Sequence, residues 1–118
     1  MVELRFSDCP KEHYEEKDND GILCCHAYEN GKETGYCLFR FEEKSVVLVR
    51  LRTDPYDFAL CDGLVRAVLN YSLNRMKETF RAGQDTQLRK FLKSSGIPEE
   101  EALIESILSR VCDGIRTE

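Results

Sequence analysis

An Asn-Gly pair between two β-prone segments constrains the fold of this chain more than any other feature of its sequence. Asn30-Gly31 separates Ile22–Tyr28 from Thr34–Phe41, and such a pair accepts the positive φ angles of a type I′ turn. A third β-branched segment, Ser45–Thr53, follows a short charged turn. We therefore expect three consecutive antiparallel strands, and the apolar start of the third is typical of a strand inside a covered sheet.

Strand and helix patterns flank this meander on both sides. Met1–Phe6 alternates apolar and charged residues, which predicts a strand with one buried face. The charged segment Pro10–Asp20 predicts a solvated loop or a weak helix. Leu64–Met76 carries an apolar stripe at helical spacing, and Asp62 is the candidate residue to cap its first turn.

The last third of the chain predicts a short strand and two further helices. Lys77–Arg81 is the candidate strand, and Thr86–Ser94 is a helix that Gly96 ends. Pro98 then starts a last helix over Glu99–Cys112, with acidic residues in its first turn. The order of elements predicts an α+β fold with a mixed sheet, in a single domain that spans residues 1–118.

Composition excludes several classes of function. The net charge of −5 and the pI of about 5.1 argue against a general nucleic-acid or anionic-membrane surface. No apolar run approaches the roughly 20 residues that span a bilayer, and Met1–Phe6 lacks the apolar core of a signal peptide. We therefore expect a cytoplasmic protein.

The six cysteines are expected to be small apolar core residues. No C-x-x-C pair occurs in the sequence, and a cytoplasmic chain keeps its thiols reduced. Cys24, Cys25 and His26 are consecutive. Because neighbours on a strand point to opposite faces, these side chains do not converge on a metal ion. No metal site is predicted.

Residues 21–97 resemble the acyl-CoA-binding core of the GNAT superfamily of N-acetyltransferases. The second to fourth strands of that family are similar to the stretch YENGKETGYCLFRFEEKSVVLVRL, in which the pair Gly35-Tyr36 would open the third strand. The long helix after the pyrophosphate loop is similar to DGLVRAVLNYSLNRM, and the next helix to LRKFLKSSGI. The resemblance implies a GNAT-like meander followed by a helix, a short strand and helices, with acetyl-CoA as the cofactor.

The resemblance also implies a cofactor site. The backbone at the end of the third predicted strand would hold the pantetheine arm, and an N–H group there would polarise the thioester carbonyl. Free N–H groups at the start of the helix would hold the pyrophosphate, because they carry the positive end of the helix dipole. The residues so implied are Leu51, Arg52, Thr53, Cys61, Asp62, Gly63 and Leu64.

The chain departs from the residues of that family at positions that carry chemistry. Cys61 replaces a glycine of the phosphate loop, and Leu92 stands where the family often has a tyrosine general acid. A leucine cannot donate a proton, so no catalytic residue is assigned. Tyr71 lies on the apolar stripe of its helix and is expected to pack in the core, and Asp85 stands where the family often has Asn.

Three functional interpretations remain open at this point. One is an N-acyltransferase in which a small-molecule or peptide amine attacks acetyl-CoA directly. Another is a catalytically degenerate GNAT-like module that binds a partner, with a homodimer among the possibilities. The third is a cysteine site, in which Cys61 at a helix N-terminus has a lowered pKa. Arg50 and Arg52 share a strand face and either bind an anion or pair with the acidic segment Glu12–Asp20.

Overall fold

Six strands form one mixed sheet in the computed structural model, which describes residues 2–8 and 21–109. The strands follow chain order across the sheet, and the β4–β5 pair alone is parallel among the described strands. This confirms the predicted α+β class. The elements are β1 (Val2–Asp8), β2 (Ile22–Glu29), β3 (Lys32–Phe41), β4 (Ser45–Thr53), α1 (Phe58–Leu73), β5 (Thr79–Ala82), α2 (Thr86–Ser95) and β6 (Ala102–Leu103), after which residues 104–109 are helical.

The turn between β2 and β3 has the geometry that its sequence predicts. Asn30 has φ of 56° and Gly31 has φ of 78°, as a type I′ turn requires. Further along β3, a Cβ atom on Gly35 would lie 2.8 Å from the carbonyl oxygen of Arg52. The lack of a side chain at Gly35 therefore allows β3 and β4 to approach. Because β3 begins at Lys32, Gly35 lies inside the strand and does not open it.

A bulge at Val49 reverses which residues of β4 face the helices. Leu38 pairs with Arg50, and Phe39 pairs with Leu48, so Val49 is left without a partner on β3. An extra residue in one strand shifts the alternation of side chains by one position. As a result Leu48 and Leu51 both contribute to the core under the helices, although they are three residues apart.

The core lies mainly between the sheet and one layer of helices. Phe39, Leu64, Phe80 and Phe91 are fully buried there. A smaller buried cluster on the other face contains Ile22, Cys24 and Leu38. Cys25 lies in the main core, so the expectation that Cys24 and Cys25 point to opposite faces is confirmed.

The first helix begins earlier than its apolar stripe suggests. α1 starts at Phe58, and Asp57 is its N-cap, since the Asp57 carboxylate accepts a hydrogen bond from the Leu60 N–H at 3.0 Å. The predicted start at Leu64 is therefore wrong, as is Asp62 as the cap, because Asp62 lies inside the helix and pairs with Arg66 one turn later. The helix ends at Leu73, three residues before the predicted end.

Beyond α1 the short strand and the next helix are correct in type, whereas the predicted helix from Pro98 is wrong over its first residues. β5 starts two residues after the predicted strand, and α2 matches its prediction to within one residue, with Gly96 at φ of 76° ending it. The last helix does not begin at Pro98. Ala102–Leu103 first pairs with β5 as a short strand, and the Ile104 N–H donates to the carbonyl oxygen of Glu78 at 3.0 Å. The segment Pro10–Asp20 and residues 110–112 lie outside the described residues.

Candidate functional site where the fourth and fifth strands diverge

β4 and β5 pair over four residues and then separate. Their pairing runs from Ser45 with Thr79 to Leu48 with Ala82, and the Gly83 N–H donates to the carbonyl oxygen of Leu48 at 2.8 Å. Past that point β4 continues for five residues beside the start of α2. The N–H groups on this free edge of β4 need partners other than a strand.

Side chains from the start of α2 bind the N–H groups of this edge. The Leu51 N–H donates to Asp85 Oδ2 at 3.1 Å, and the Thr53 N–H donates to Gln87 Oε1 at 2.8 Å. Both donors belong to buried residues of β4. These are the amides that the family resemblance assigns to the pantetheine arm, and here they are hydrogen-bonded within the protein.

Asp85 joins β4 to α2 through several bonds at once. Its carboxylate caps α2 by accepting from the Leu88 N–H at 3.0 Å, and it forms an ion pair with Arg52 at 2.6 Å. The Asp85 side chain is only 7% exposed. Charge-assisted bonds to a buried carboxylate are stronger than neutral ones. The guanidinium of Arg52 is thus engaged by Asp85, while the acidic segment Glu12–Asp20 lies outside the described residues.

The backbone amides predicted for the pyrophosphate lie inside α1. The Cys61 N–H donates to the carbonyl oxygen of Asp57 at 2.9 Å, which is the regular bond of an α-helix. Asp62, Gly63 and Leu64 follow within the same helix. These N–H groups are therefore not at the helix N-terminus. That position belongs to Phe58, six residues before the predicted start.

The actual start of α1 is a poor match for an anionic phosphate. The Asp57 carboxylate caps the helix, and Asp54 also lies in the turn before it. Pro55 contributes no N–H group to this turn. A pyrophosphate placed here would meet two carboxylates, and like charges repel at short range. The residues present at the two implied contact points do not fit CoA.

Cys61 is a buried core thiol and not a reactive one. It is fully buried, and its Sγ lies 3.7 Å from Oγ1 of Thr53. Burial raises the pKa of Cys61, because a thiolate is poorly solvated in the core. Burial likewise raises the pKa of Cys25 to about 12. The hypothesis of a thiolate with lowered pKa at Cys61 is therefore wrong.

Among the described residues, Tyr71 and Tyr56 do not take the place of the general acid missing from α2. Leu92 is fully buried. The Tyr71 ring stacks on Phe6 with ring centroids 4.1 Å apart, and the Arg75 guanidinium lies 3.5 Å from the Tyr71 ring centroid. Tyr71 is thus packed, as predicted. The hydroxyl of Tyr56 is buried with no hydrogen-bond partner among the described residues, and burial raises its pKa.

An open groove of about 970 Å³ lies between β1 and the first turns of α1. Its apolar side chains include Val2, Leu4 and Phe58, which are 44%, 37% and 45% exposed. Glu29, Asp54 and Asp57 also line it, and none of the described lining residues is basic. The lining consists of Val2, Leu4, Glu29, Thr34, Asp54, Pro55, Tyr56, Asp57, Phe58, Ala59, Leu60 and Gly63.

Sequence reasoning did not find this groove. Most of its lining comes from β1 and from residues 54–63, about fifty positions later, and Glu29 and Thr34 complete it. Gly63 is the single implied site residue that lines it, and a Cβ atom there would meet nothing within 4 Å. The signal that could have indicated the groove was the concentration of acidic and aromatic residues between Asp54 and Phe58.

Sequence reasoning also missed a polar relay on the opposite face of the sheet. Glu33 Oε2 lies 2.5 Å from Nδ1 of His26, and Ser7 Oγ lies 2.7 Å from the other ring nitrogen, Nε2. A carboxylate on one ring nitrogen fixes the orientation of the imidazole. None of the three residues lines the groove, and His26 is buried. Because Ser7, His26 and Glu33 lie on β1, β2 and β3, the relay connects these three strands.

Structural comparison identifies the architecture. No protein-family model matches the chain, and no curated protein sequence does. Solved structures match over most of its length. An acetyltransferase of the GNAT family from Streptococcus pneumoniae has a TM-score of 0.60 at 13% identity, covering 83% of this chain and 88% of that one. The chain has the GNAT fold.

Two further solved structures with the GNAT fold are equally similar. The ribosomal-protein-S18-alanine N-acetyltransferase from Escherichia coli has a TM-score of 0.62 at 12% identity and covers 81% of this chain and 77% of its own. The aminoglycoside N-acetyltransferase AAC(6')-Iy, in complex with CoA, has a TM-score of 0.64 at 12% identity. The match covers 86% of this chain and 91% of that one. Identities this low establish the fold alone.

Within 2–8 and 21–109, no group of three or more His, Cys, Asp or Glu side chains is placed to hold a metal ion. No helix in this part of the chain has both the length and the apolar character needed to cross a membrane.

Proposed function

We propose that this chain is a GNAT-fold binding domain without acyl-transfer activity, and that its groove takes an apolar amine. The observation that carries the proposal is the occupation of the free β4 edge, where Asp85 and Gln87 bind the N–H groups of Leu51 and Thr53. A pantetheine arm laid along this edge would compete with both side chains.

Displacing Asp85 would cost the protein more than one hydrogen bond. The same carboxylate caps α2 and pairs with Arg52, so moving it aside for a pantetheine arm would leave the Leu88 N–H and the Arg52 guanidinium without this partner. Each buried donor left unsatisfied costs about 1–3 kcal/mol. Gln87 is a weaker obstacle, because it makes a single neutral bond to this edge.

The charge and shape of the groove support an amine as the ligand. Glu29, Asp54 and Asp57 attract a cation, and exposed Val2, Leu4 and Phe58 offer apolar surface to its remainder. Apolar pockets with a few convergent polar groups are the usual form of a small-molecule site.

Calorimetric titration with CoA and with acetyl-CoA tests the first half of this proposal. We expect no binding of either at millimolar concentrations, and no thiol release when acetyl-CoA is incubated with a panel of amines. Micromolar binding of CoA would overturn the proposal. Turnover of acetyl-CoA that depends on an added amine would do so as well.

NMR titration with matched ligands tests the second half. An alkyl or aryl amine should shift backbone amide signals in residues 54–63, whereas the alcohol and the carboxylic acid of the same shape should not. Asp54→Asn and Glu29→Gln should each weaken amine binding about tenfold at low salt, and added salt should weaken it in the wild type. Equal binding of the alcohol would contradict an electrostatic site.

Glu105→Gln is the matched control for these variants. Glu105 is exposed and lies outside the groove. Its substitution by Gln removes one negative charge, as Asp54→Asn and Glu29→Gln do. We expect amine affinity to be unchanged in this variant. A loss equal to that of Asp54→Asn would show that net charge, and not the groove, governs binding.

Acyl transfer is the second candidate, and the divergence of β4 from β5 favours it. The GNAT-fold proteins PaiA from Thermoplasma acidophilum and AAC(6')-Iy were both solved with CoA. If Asp85 and Gln87 rearranged, the N–H groups of Leu51 and Thr53 would become available to a pantetheine arm. The CoA titration above decides between the two candidates.

A further inference from the structure

The outer edge of β1 is a free sheet edge among the described residues. β1 is the first strand in the sheet order, and β2 is its one partner there. Along β1 the residues are exposed apart from Phe6, which is half-buried. An exposed edge presents a row of unpaired N–H and C=O groups that can pair with another strand.

The side chains of β1 are not those of a protected edge. Val2 and Leu4 are exposed apolar residues on the helix face, and alternation places Phe6 on that face too. Glu3 and Arg5 share the other face, where their side chains pair at 3.0 Å. Inward-pointing charges and proline are two of the features that keep strand edges from associating, and the apolar face of β1 has neither.

We propose that β1 pairs antiparallel with β1 of a second copy of this chain, which joins the two six-stranded sheets across a two-fold axis. The axis stands perpendicular to the sheet, so each residue lies opposite a residue of the same face. Centred on Leu4, the pairing sets Glu3 against Arg5 of the second copy on one face. On the other face it sets Leu4 against Leu4 and Val2 against Phe6.

The charges of Glu3 and Arg5 favour this register over the two registers centred on the neighbouring residues. Centring the axis on Glu3 would oppose Glu3 to Glu3, and centring it on Arg5 would oppose Arg5 to Arg5. Directly opposed like charges destabilise a strand pair, and opposite charges stabilise it. Only the Leu4 register among these three is complementary on both faces.

The same pairing extends the groove. Val2 and Leu4 line the groove of each copy, so the apolar rows of the two copies meet at the axis. The exposed parts of Val2 and Leu4 would then face apolar side chains in place of water, which is favourable. The dimer thus gives each groove a wall from the second copy.

Sedimentation velocity on charge variants tests the proposal. The wild type should dimerise with increasing concentration. Glu3→Arg and Arg5→Glu should each weaken the dimer about tenfold or more, because each variant creates two like-charge pairs across the axis. An equimolar mixture of the two variants restores opposite charges at both positions and should form a heterodimer. The double variant, with both charges exchanged, should dimerise like the wild type.

Glu105→Arg is the control, since it makes the same charge change at an exposed position away from β1. This variant should dimerise normally. Circular dichroism of every variant shows whether a lost dimer reflects lost folding. A heterodimer in the equimolar mixture shows the same thing directly, because both variants must be folded to pair. A wild type that is monomeric at millimolar concentration would overturn the proposal. Single variants that still dimerise, or a mixture that does not associate, would overturn it too.

Discussion

Asp85→Ala tests whether one carboxylate holds the edge of β4 and the start of α2 together. The substitution removes the cap of α2, worth about 1 kcal/mol. It also leaves the Leu51 N–H without an acceptor in a fully buried residue, at a cost of about 1–3 kcal/mol. The ion pair with Arg52, whose side chain is 39% exposed, adds less than about 1 kcal/mol after screening.

These contributions predict a loss of roughly 3 kcal/mol in the free energy of unfolding. Urea titration followed by far-UV circular dichroism measures it. Asp57→Ala is the matched comparison, because it removes an exposed helix cap and nothing on β4, and it should cost about 1 kcal/mol. Asp85→Asn retains an acceptor oxygen and should fall between the wild type and Asp85→Ala. An Asp85→Ala variant no less stable than Asp57→Ala would refute the reasoning.

Three further predictions concern the packing, the charges and the thiols. Gly35→Ala should lower the free energy of unfolding by about 1–3 kcal/mol, because the new Cβ would lie 2.8 Å from the Arg52 carbonyl oxygen; an unchanged melting temperature would contradict this. Arg81 lowers the pKa of Glu42 in the folded state. The stabilisation of the folded state by this pair is therefore present above a pH of about 4.5 and lost as the pH falls through the lower folded pKa. The stability difference between wild type and Glu42→Gln should therefore shrink in acid, and a difference that grows instead would disprove it. Cys61 should not react with a thiol reagent at neutral pH until denaturant is added, because it is buried and its pKa is raised. Mass spectrometry that finds Cys61 labelled in the folded protein would contradict this prediction.

Local patterns were enough to predict most elements. The β2–β3 turn follows from the φ preferences of Asn30-Gly31, and the end of α2 follows from those of Gly96. The start of α1 was missed because the residues before Leu64 do not continue a clean apolar stripe. It depends on a contact outside the helix, in which the Asp57 N–H donates to Oγ1 of Thr53 at 2.9 Å.

Sequence reasoning pointed to the end of β4 and did not indicate how its N–H groups are bonded. The family resemblance indicated the end of β4 as the place of interest, and that is where β4 leaves β5. It did not indicate that Asp85 would engage Leu51, because a change from amide to carboxylate is conservative in sequence. In three dimensions the charge matters, since a carboxylate can cap α2 and pair with Arg52 at the same time.

The sequence by itself determined strands β1 to β4, the tight turn and the apolar faces, because these depend on backbone preferences and on the spacing of side chains along a few residues. The tertiary structure alone decided which donors and acceptors meet. Leu51 and Asp85 are 34 residues apart, and β1 and the start of α1 line one groove although residues 9–57 separate them in the sequence. Hydrogen bonds and charge pairs act over a few ångströms, so their partners are fixed when the fold brings distant residues together.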